Sequence, residues 1–142
     1  MLVSDIMNRD VVSVSPDDSV ALASRLLSRH NIGSLPVCSG DGRLRGIITD
    51  RDIVLRCVAT DGDPDDTPVR EIMSRSVITV SPEDQVRRAS QLMSAGQVRR
   101  LPVTREGRLV GMLSLGDMAK NGASDMEASR ALAEISSSLR QR

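Results

Sequence analysis

Two short runs in this sequence place a hydroxyl and a carboxylate at the same spacing: Thr49-Asp50-Arg51-Asp52 and Ser114-Leu115-Gly116-Asp117. Each reads Thr/Ser-x-x-Asp where a strand-like run passes into a helix-like one. A short carboxylate at a helix start can accept two hydrogen bonds from a vicinal diol such as that of ribose. The hydroxyl one turn earlier, with the free N–H groups of the helix start, suits a phosphate. The same spacing is also a capping box, in which the two side chains close the helix start on itself. Spacing alone leaves these readings level.

Other chemistry is thinly represented. His30 is the single histidine and sits at the polar end of a helical run. Cys38 and Cys57 have no Cys-x-x-Cys neighbour and read as small buried apolar residues. No nucleophile–base set is present, so no catalytic and no metal-binding residues are assigned and the chain is expected not to be an enzyme. Asp61-Gly62-Asp63-Pro64-Asp65-Asp66 lacks the regular ligand spacing and closing Glu of a calcium loop, and reads as a polar linker.

Composition narrows the partners. The 142 residues carry 19 basic and 19 acidic side chains, a formal net charge of zero, and no Phe, Tyr or Trp. Without net positive charge or aromatic stacking platforms, nucleic-acid binding is disfavoured, although Arg87-Arg88 and Arg99-Arg100 could form a local basic patch. No apolar run approaches the length of a membrane span and no leader pattern opens the chain, so a cytoplasmic location is expected.

The elements that must position the motifs come as a repeat. Val3-Ser4-Asp5-Ile6-Met7 returns as Val69-Arg70-Glu71-Ile72-Met73, Val11–Pro16 as Val77–Pro82, and Leu35-Pro36-Val37 as Leu101-Pro102-Val103, all at an offset of 66, which becomes 65 from Gly46 to Gly111. Each copy predicts a first strand (Val11–Val14, Val77–Val80). A helix capped by Ser15 or Ser81 follows, with Pro16 or Pro82 at its first position and an acidic side chain three after the cap. The helix carries an apolar stripe (Val20, Ala23, Leu26, Leu27; Val86, Ala89, Leu92, Met93) and ends near Asn31 or Gly96. A hairpin turning at Asp41-Gly42 or Glu106-Gly107 comes next, then a second helix from Asp50 or Leu115. The fold class is α+β, two tandem β-α-β-β-α units. The divisions expected are 1–60, a linker 61–68, 69–120, and a C-terminal helical tail 121–142 with a stripe of Met126, Leu132, Ile135 and Leu139.

Gly46-Ile47-Ile48-Thr49-Asp50-Arg51-Asp52 and Gly111-Met112-Leu113-Ser114-Leu115-Gly116-Asp117, with the upstream Leu-Pro-Val and the opening Ile-Met, resemble the signature of CBS domains. Residues 3–58 and 69–120 carry the likeness, which extends to small bacterial stand-alone CBS pairs. The resemblance implies a pseudo-two-fold CBS pair (a Bateman module), commonly a homodimer. It implies clefts between the two repeats that accept AMP, ADP, ATP or S-adenosylmethionine as regulatory ligand, with no further cofactor. It tips Thr49, Asp52, Ser114 and Asp117 toward ligand contact. Val12, Val14, Ile78 and Val80 of the first strands would face the base. In nucleotide-binding relatives, basic residues at the position of Arg99-Arg100 reach the phosphates; the first copy has Gly33-Ser34 there. Arg51 adds a cation to the first motif where the second has Gly116. A guanidinium fork fits phosphate, whereas a solvated surface ion pair is the bland alternative. The two sites would then be unequal, the Arg99-Arg100 site preferring the more highly charged ligand. With no catalytic domain attached, the regulated partner is unknown; the alternative is a ligand-free dimerisation and docking scaffold.

Overall fold

The computed structural model describes residues 1–121 and 134–135. The tail 122–133 and 136–142 lies outside the described residues, and with it most of the C-terminal helix expectation; Glu134 and Ile135 are helical and Ile135 is buried. The chain divides into two compact units, one of Val12–Val77, the other of Met1–Val11 with Ile78–Arg142. The sequence copies and the compact units therefore cut the chain at different places.

In the first unit, α2 (Val20–His30) packs on the hairpin β1 (Ser34–Cys38) and β2 (Leu44–Thr49), followed by α3 (Asp50–Ile53), a π-helical turn Val54–Val58, and α4 (Val69–Ile72). Its core is aliphatic: Val20, Ala23, Leu27, Leu35, Val37, Ile48, Val69 and Ile72. In the second, α1 (Val3–Ile6) joins α5 (Val86–Gly96), the hairpin β3 (Arg100–Arg105) and β4 (Arg108–Ser114), and α6 (Leu115–Lys120) around Val3, Met93, Leu101, Val103, Leu113 and Met118. Both hairpins turn through left-handed backbone, at Gly42 (φ 84°) and at Glu106-Gly107 (φ 53° and 80°), as their turn residues predict.

The first strands do not form. Only Val14 and Val80 pair, each in one parallel bridge to Val37 or Val103. Prolines are the reason. The bridge uses Val14 N–H to Pro36 O at 3.1 Å and Cys38 N–H to Val14 O at 2.8 Å. The next rungs would need the N–H of Pro36 on one side and of Pro16 on the other, and proline has none. Pro102 and Pro82 stop the second copy in the same way.

The helix starts also differ from expectation. Ser15–Asp18 is a turn, with Ser15 N–H donating to Asp18 Oδ2 at 2.8 Å, and α2 begins at Val20 under Ser19, whose hydroxyl accepts from Leu22 N–H at 3.1 Å. Ser81 and Asp84 repeat the turn at 2.9 Å before α5, whose cap position Gln85 makes no side-chain bond. The carbonyls that a longer helix would have used internally are engaged elsewhere. Asp18 O and Pro16 O accept from Val69 and Arg70 N–H at 2.8 and 2.9 Å, satisfying two orphan donors at the start of α4. In the other unit Asp84 O and Pro82 O do the same for Val3 and Ser4 of α1, at 2.9 Å each.

On the far edge of each hairpin, Ser74 pairs with Ile47 and Asn8 with Met112. These contacts explain the glycine of each motif. A Cβ on Gly46 would lie 2.6 Å from Ser74 O, and one on Gly111 2.8 Å from Met7 Sδ.

Candidate functional site

Thr49 ends β2 opposite Ser34 and caps α3. Its Oγ1 accepts from Asp52 N–H at 3.0 Å, while Asp52 Oδ2 accepts from Thr49 N–H at 3.0 Å. Ser114 ends β4 opposite Arg100 and caps α6 with the same reciprocal pair, at 3.0 and 2.9 Å. The capping role weighed in the sequence is thus present in both copies. It uses one oxygen of each carboxylate, and an ionised carboxylate has about four acceptor positions. Asp52 is 8 % exposed and Asp117 half-buried, so the acceptor capacity that remains is held at fixed places on a rigid box.

The cations divide unequally. Arg100 stands in register across from Ser114, close enough for side chains on one sheet face to meet. Arg99 gives its carbonyl to Leu115 N–H at 3.0 Å and leaves its side chain exposed. In the first copy the equivalent carbonyl, Gly33 O, accepts from Asp50 N–H at 3.0 Å, and a Cβ on Gly33 would lie 3.5 Å from Asp50 Oδ2. A carboxylate therefore borders the place corresponding to Arg99. Arg51 is exposed. Among the described residues, no carboxylate pairs with Arg51, Arg99 or Arg100; the ion pairs are those of Arg43, Arg45, Arg56, Arg70 and Arg105.

The apolar candidates separate as well. Val14 and Val80 are buried and bridged, and Val12 is half-buried against the core of its unit. Ile78 is 38 % exposed, and its Cδ1 occupies the space a Cβ on Gly96 would take. One residue escaped the sequence reading. Arg56 Nη1 lies 3.7 Å from Asp52 Oδ1 and donates to Ile72 O at 3.0 Å. Its signal was available as an Asp–Arg pair at i,i+4, replaced by Asn121 in the second copy.

Burial pushes the Cys38 thiol up, away from the thiolate a metal would need. Among the described residues no group of three His, Cys, Asp or Glu could hold a metal, and no helix is long and apolar enough to cross a membrane. A surface hollow beside Asp17, Asp65, Asp66, Arg70 and Glu71 contains none of the candidate site residues.

Known proteins share this fold. The profile of the CBS domain matches residues 3–58 and 69–124. The CBS domain-containing protein YhcV of Bacillus subtilis is 42% identical over 134 residues, 94% of each chain. Hypoxic response protein 1 of Mycobacterium tuberculosis is 37% identical over 117 residues, 82% of each. Its crystal structure, with two coordinated zinc ions, superposes with a TM-score of 0.78 at 35% identity over 84% of this chain and 98% of that one. The CBS domain pair of protein MJ0100, in complex with 5′-methylthioadenosine and S-adenosyl-L-methionine, gives 0.75 at 29% identity over 88% and 98%. The chain belongs to the CBS domain family and carries two such domains in tandem.

Proposed function

We propose that this chain is a cytoplasmic regulatory module that binds an adenine nucleotide or a related adenosyl compound at its Thr/Ser-x-x-Asp motifs. The observation that carries this reading is the duplicated capping box. Asp52 and Asp117 are each fixed through one oxygen and keep acceptor positions for a ribose diol. Val12, half-buried, and Ile78, 38% exposed, offer aliphatic surface for a base, whereas Val14 and Val80 are buried with their backbone groups already bonded. Arg99 and Arg100, free of carboxylate partners among the described residues, supply the phosphate contacts. The second motif then takes AMP, ADP or ATP. The first, bordered by Asp50, takes a ligand of lower negative charge, such as S-adenosylmethionine. The MJ0100 pair, crystallised with two adenosyl compounds, supports the ligand class.

Thermal unfolding with AMP, ADP, ATP and S-adenosylmethionine tests the reading. A ligand present at 100 times its Kd and bound only to the folded state adds about 2.7 kcal/mol. No rise in the unfolding midpoint with any of the four at millimolar concentration would remove it. Pairing into a homodimer is compatible with ligand binding and is supported by one observation. Val54, Leu55 and Val58 on the π-helical turn are 54%, 49% and 59% exposed, an apolar surface that a second copy would cover. If the ligands fail and sedimentation shows a dimer that Leu55→Glu dissociates, the scaffold reading takes its place.

A further inference from the structure

We infer that Arg56 couples occupancy of Asp52 to the short helix α4; the inference rests on the ligand reading above. One guanidinium nitrogen, Nη1, faces two acceptors: Asp52 Oδ1 at 3.7 Å and the carbonyl of Ile72, the last residue of α4, at 3.0 Å. Asp52 Oδ2 is already committed to Thr49 N–H. Oδ1, clear of the box and facing Arg56, is the better acceptor for an arriving diol, whose hydroxyls there compete with the guanidinium.

The contest is close. The Arg56 side chain is 53% exposed while that of Asp52 is 10% exposed. A half-solvated pair at this distance is weak, whereas a well-aligned hydroxyl–carboxylate bond is short and charge-assisted. Displacing the guanidinium also withdraws the donor from Ile72 O. α4 is only four residues long. Its other ties include Val69 N–H to Asp18 O at 2.8 Å, Arg70 N–H to Pro16 O at 2.9 Å, Glu71 N–H to Pro68 O at 3.1 Å, Met73 N–H back to Val69 O at 3.0 Å and the exposed Arg70–Asp17 ion pair at 2.6 Å, none of them reaching Ile72 O. A helix of one turn has little cooperativity to resist the loss of an end contact, and this turn leads the chain out of the Val12–Val77 unit.

The second copy lacks the device. Asn121 stands where Arg56 does and donates its amide to Asp117 O at 2.6 Å, so α1, which matches α4 at the 66-residue offset, carries no such tie to its motif. Occupancy of the first motif is thus transmitted to α4, and occupancy of the second is not transmitted to α1.

The experiment is hydrogen–deuterium exchange on the whole chain with 5′-methylthioadenosine, a neutral probe that carries the ribose diol. In the parent protein, saturation should slow exchange at Thr49–Ile53 and speed it at Val69–Ser74, with Val3–Ile6 unchanged. In Arg56→Ala, exchange at Val69–Ser74 should be fast from the start and unresponsive to the probe, while the probe binds about two- to fivefold more tightly, the reach of a weak surface pair. Protection at Thr49–Ile53 without any response at Val69–Ser74, or the same response with and without Arg56, overturns the coupling and leaves the binding reading intact. No protection at Thr49–Ile53 at millimolar probe removes the binding reading for this motif and the coupling with it. Circular dichroism of Arg56→Ala, expected to match the parent, shows that the exchange difference is local; a lost helical signal would instead make Arg56 structural and overturn the inference.

Discussion

Replacing the motif glycines by alanine separates the two copies by stability. At Gly46 the new methyl would sit 2.6 Å from Ser74 O and 3.0 Å from Met73 Sδ. Ser74 cannot retreat freely, because its carbonyl accepts from Ile47 N–H at 2.9 Å and its N–H donates to Ile47 O at 2.8 Å. Overpacking of this kind costs about 1–3 kcal/mol, and weakening two backbone hydrogen bonds adds about 0.5–1.5 each. The entropy gain of Gly→Ala returns about 0.5–1. Gly46→Ala should therefore destabilise by roughly 2–4 kcal/mol. At Gly111 the nearest obstacle is the flexible thioether of Met7 at 2.8 Å, with Asn8 O at 3.0 Å, so Gly111→Ala should cost about half as much, roughly 1–2 kcal/mol. With no aromatic residue in the chain there is no tryptophan fluorescence to follow, and urea unfolding read by far-ultraviolet circular dichroism is the assay. A Gly46→Ala protein within about 0.5 kcal/mol of the parent, or a Gly111→Ala protein that is the weaker of the two, would refute the close-approach argument.

Other outcomes follow from the same contacts. Asp117→Ala removes both the carboxylate half of the capping box and the ligand acceptor, costing about 1 kcal/mol, whereas Asp117→Asn keeps a capping oxygen and loses the charge. Calorimetry should show the two variants equally impaired in AMP binding, with only the first less stable; wild-type affinity in Asp117→Asn would assign the residue to capping alone. Arg100→Ala should weaken ATP more than S-adenosylmethionine, and an equal loss for both would exclude phosphate contact. Gln97 ends α5 in the left-handed region at φ 56°, with a buried Oε1 that has no partner among the described residues, so Gln97→Gly should raise the unfolding midpoint by a few degrees, worth about 1 kcal/mol; a fall would show that its amide bond to Ser94 O dominates. The ion pair with Arg105 holds the Glu83 carboxyl below the usual range, and the hydrogen bond from Ser39 does so for Asp41. A lowered folded-state value contributes stability above the ordinary carboxylate range near pH 4 that is lost as pH falls through it. Arg105→Ala should flatten that acid limb in a midpoint-versus-pH series, and an unchanged limb would remove Glu83 from it.

Local chemistry was the legible part of the sequence. The turns at Asp41-Gly42 and Glu106-Gly107 and the boxes at Thr49–Asp52 and Ser114–Asp117 depend on neighbours a few residues apart, and each formed as its spacing predicts. The first strands misled because Val11–Val14 has β-forming residues, while the prolines that deny it rungs belong partly to another strand. The helix starts misled because Pro16 and Asp18 look like a first turn until Val69 and Arg70 are seen to take their carbonyls. Which copy each opening segment closes on was not legible at all. Met1–Ile6 and Thr67–Ile72 offer near-equivalent donors and apolar side chains, so either pairing satisfies the same bonds.

That exchange of opening segments has a consequence for synthesis. The Val12–Val77 unit is continuous in the chain and has all its partners once its last residue leaves the ribosome. The other unit is split, its Met1–Val11 segment emerging before the continuous unit and its hairpin after it. Val3 and Met7, buried in the finished protein, must wait in solvent for Leu101, Val103 and Leu113 to be made. Vectorial synthesis thus orders assembly, continuous unit first and split unit last, and the exposed apolar residues of the waiting segment are the nascent chain's natural point of contact with a holdase.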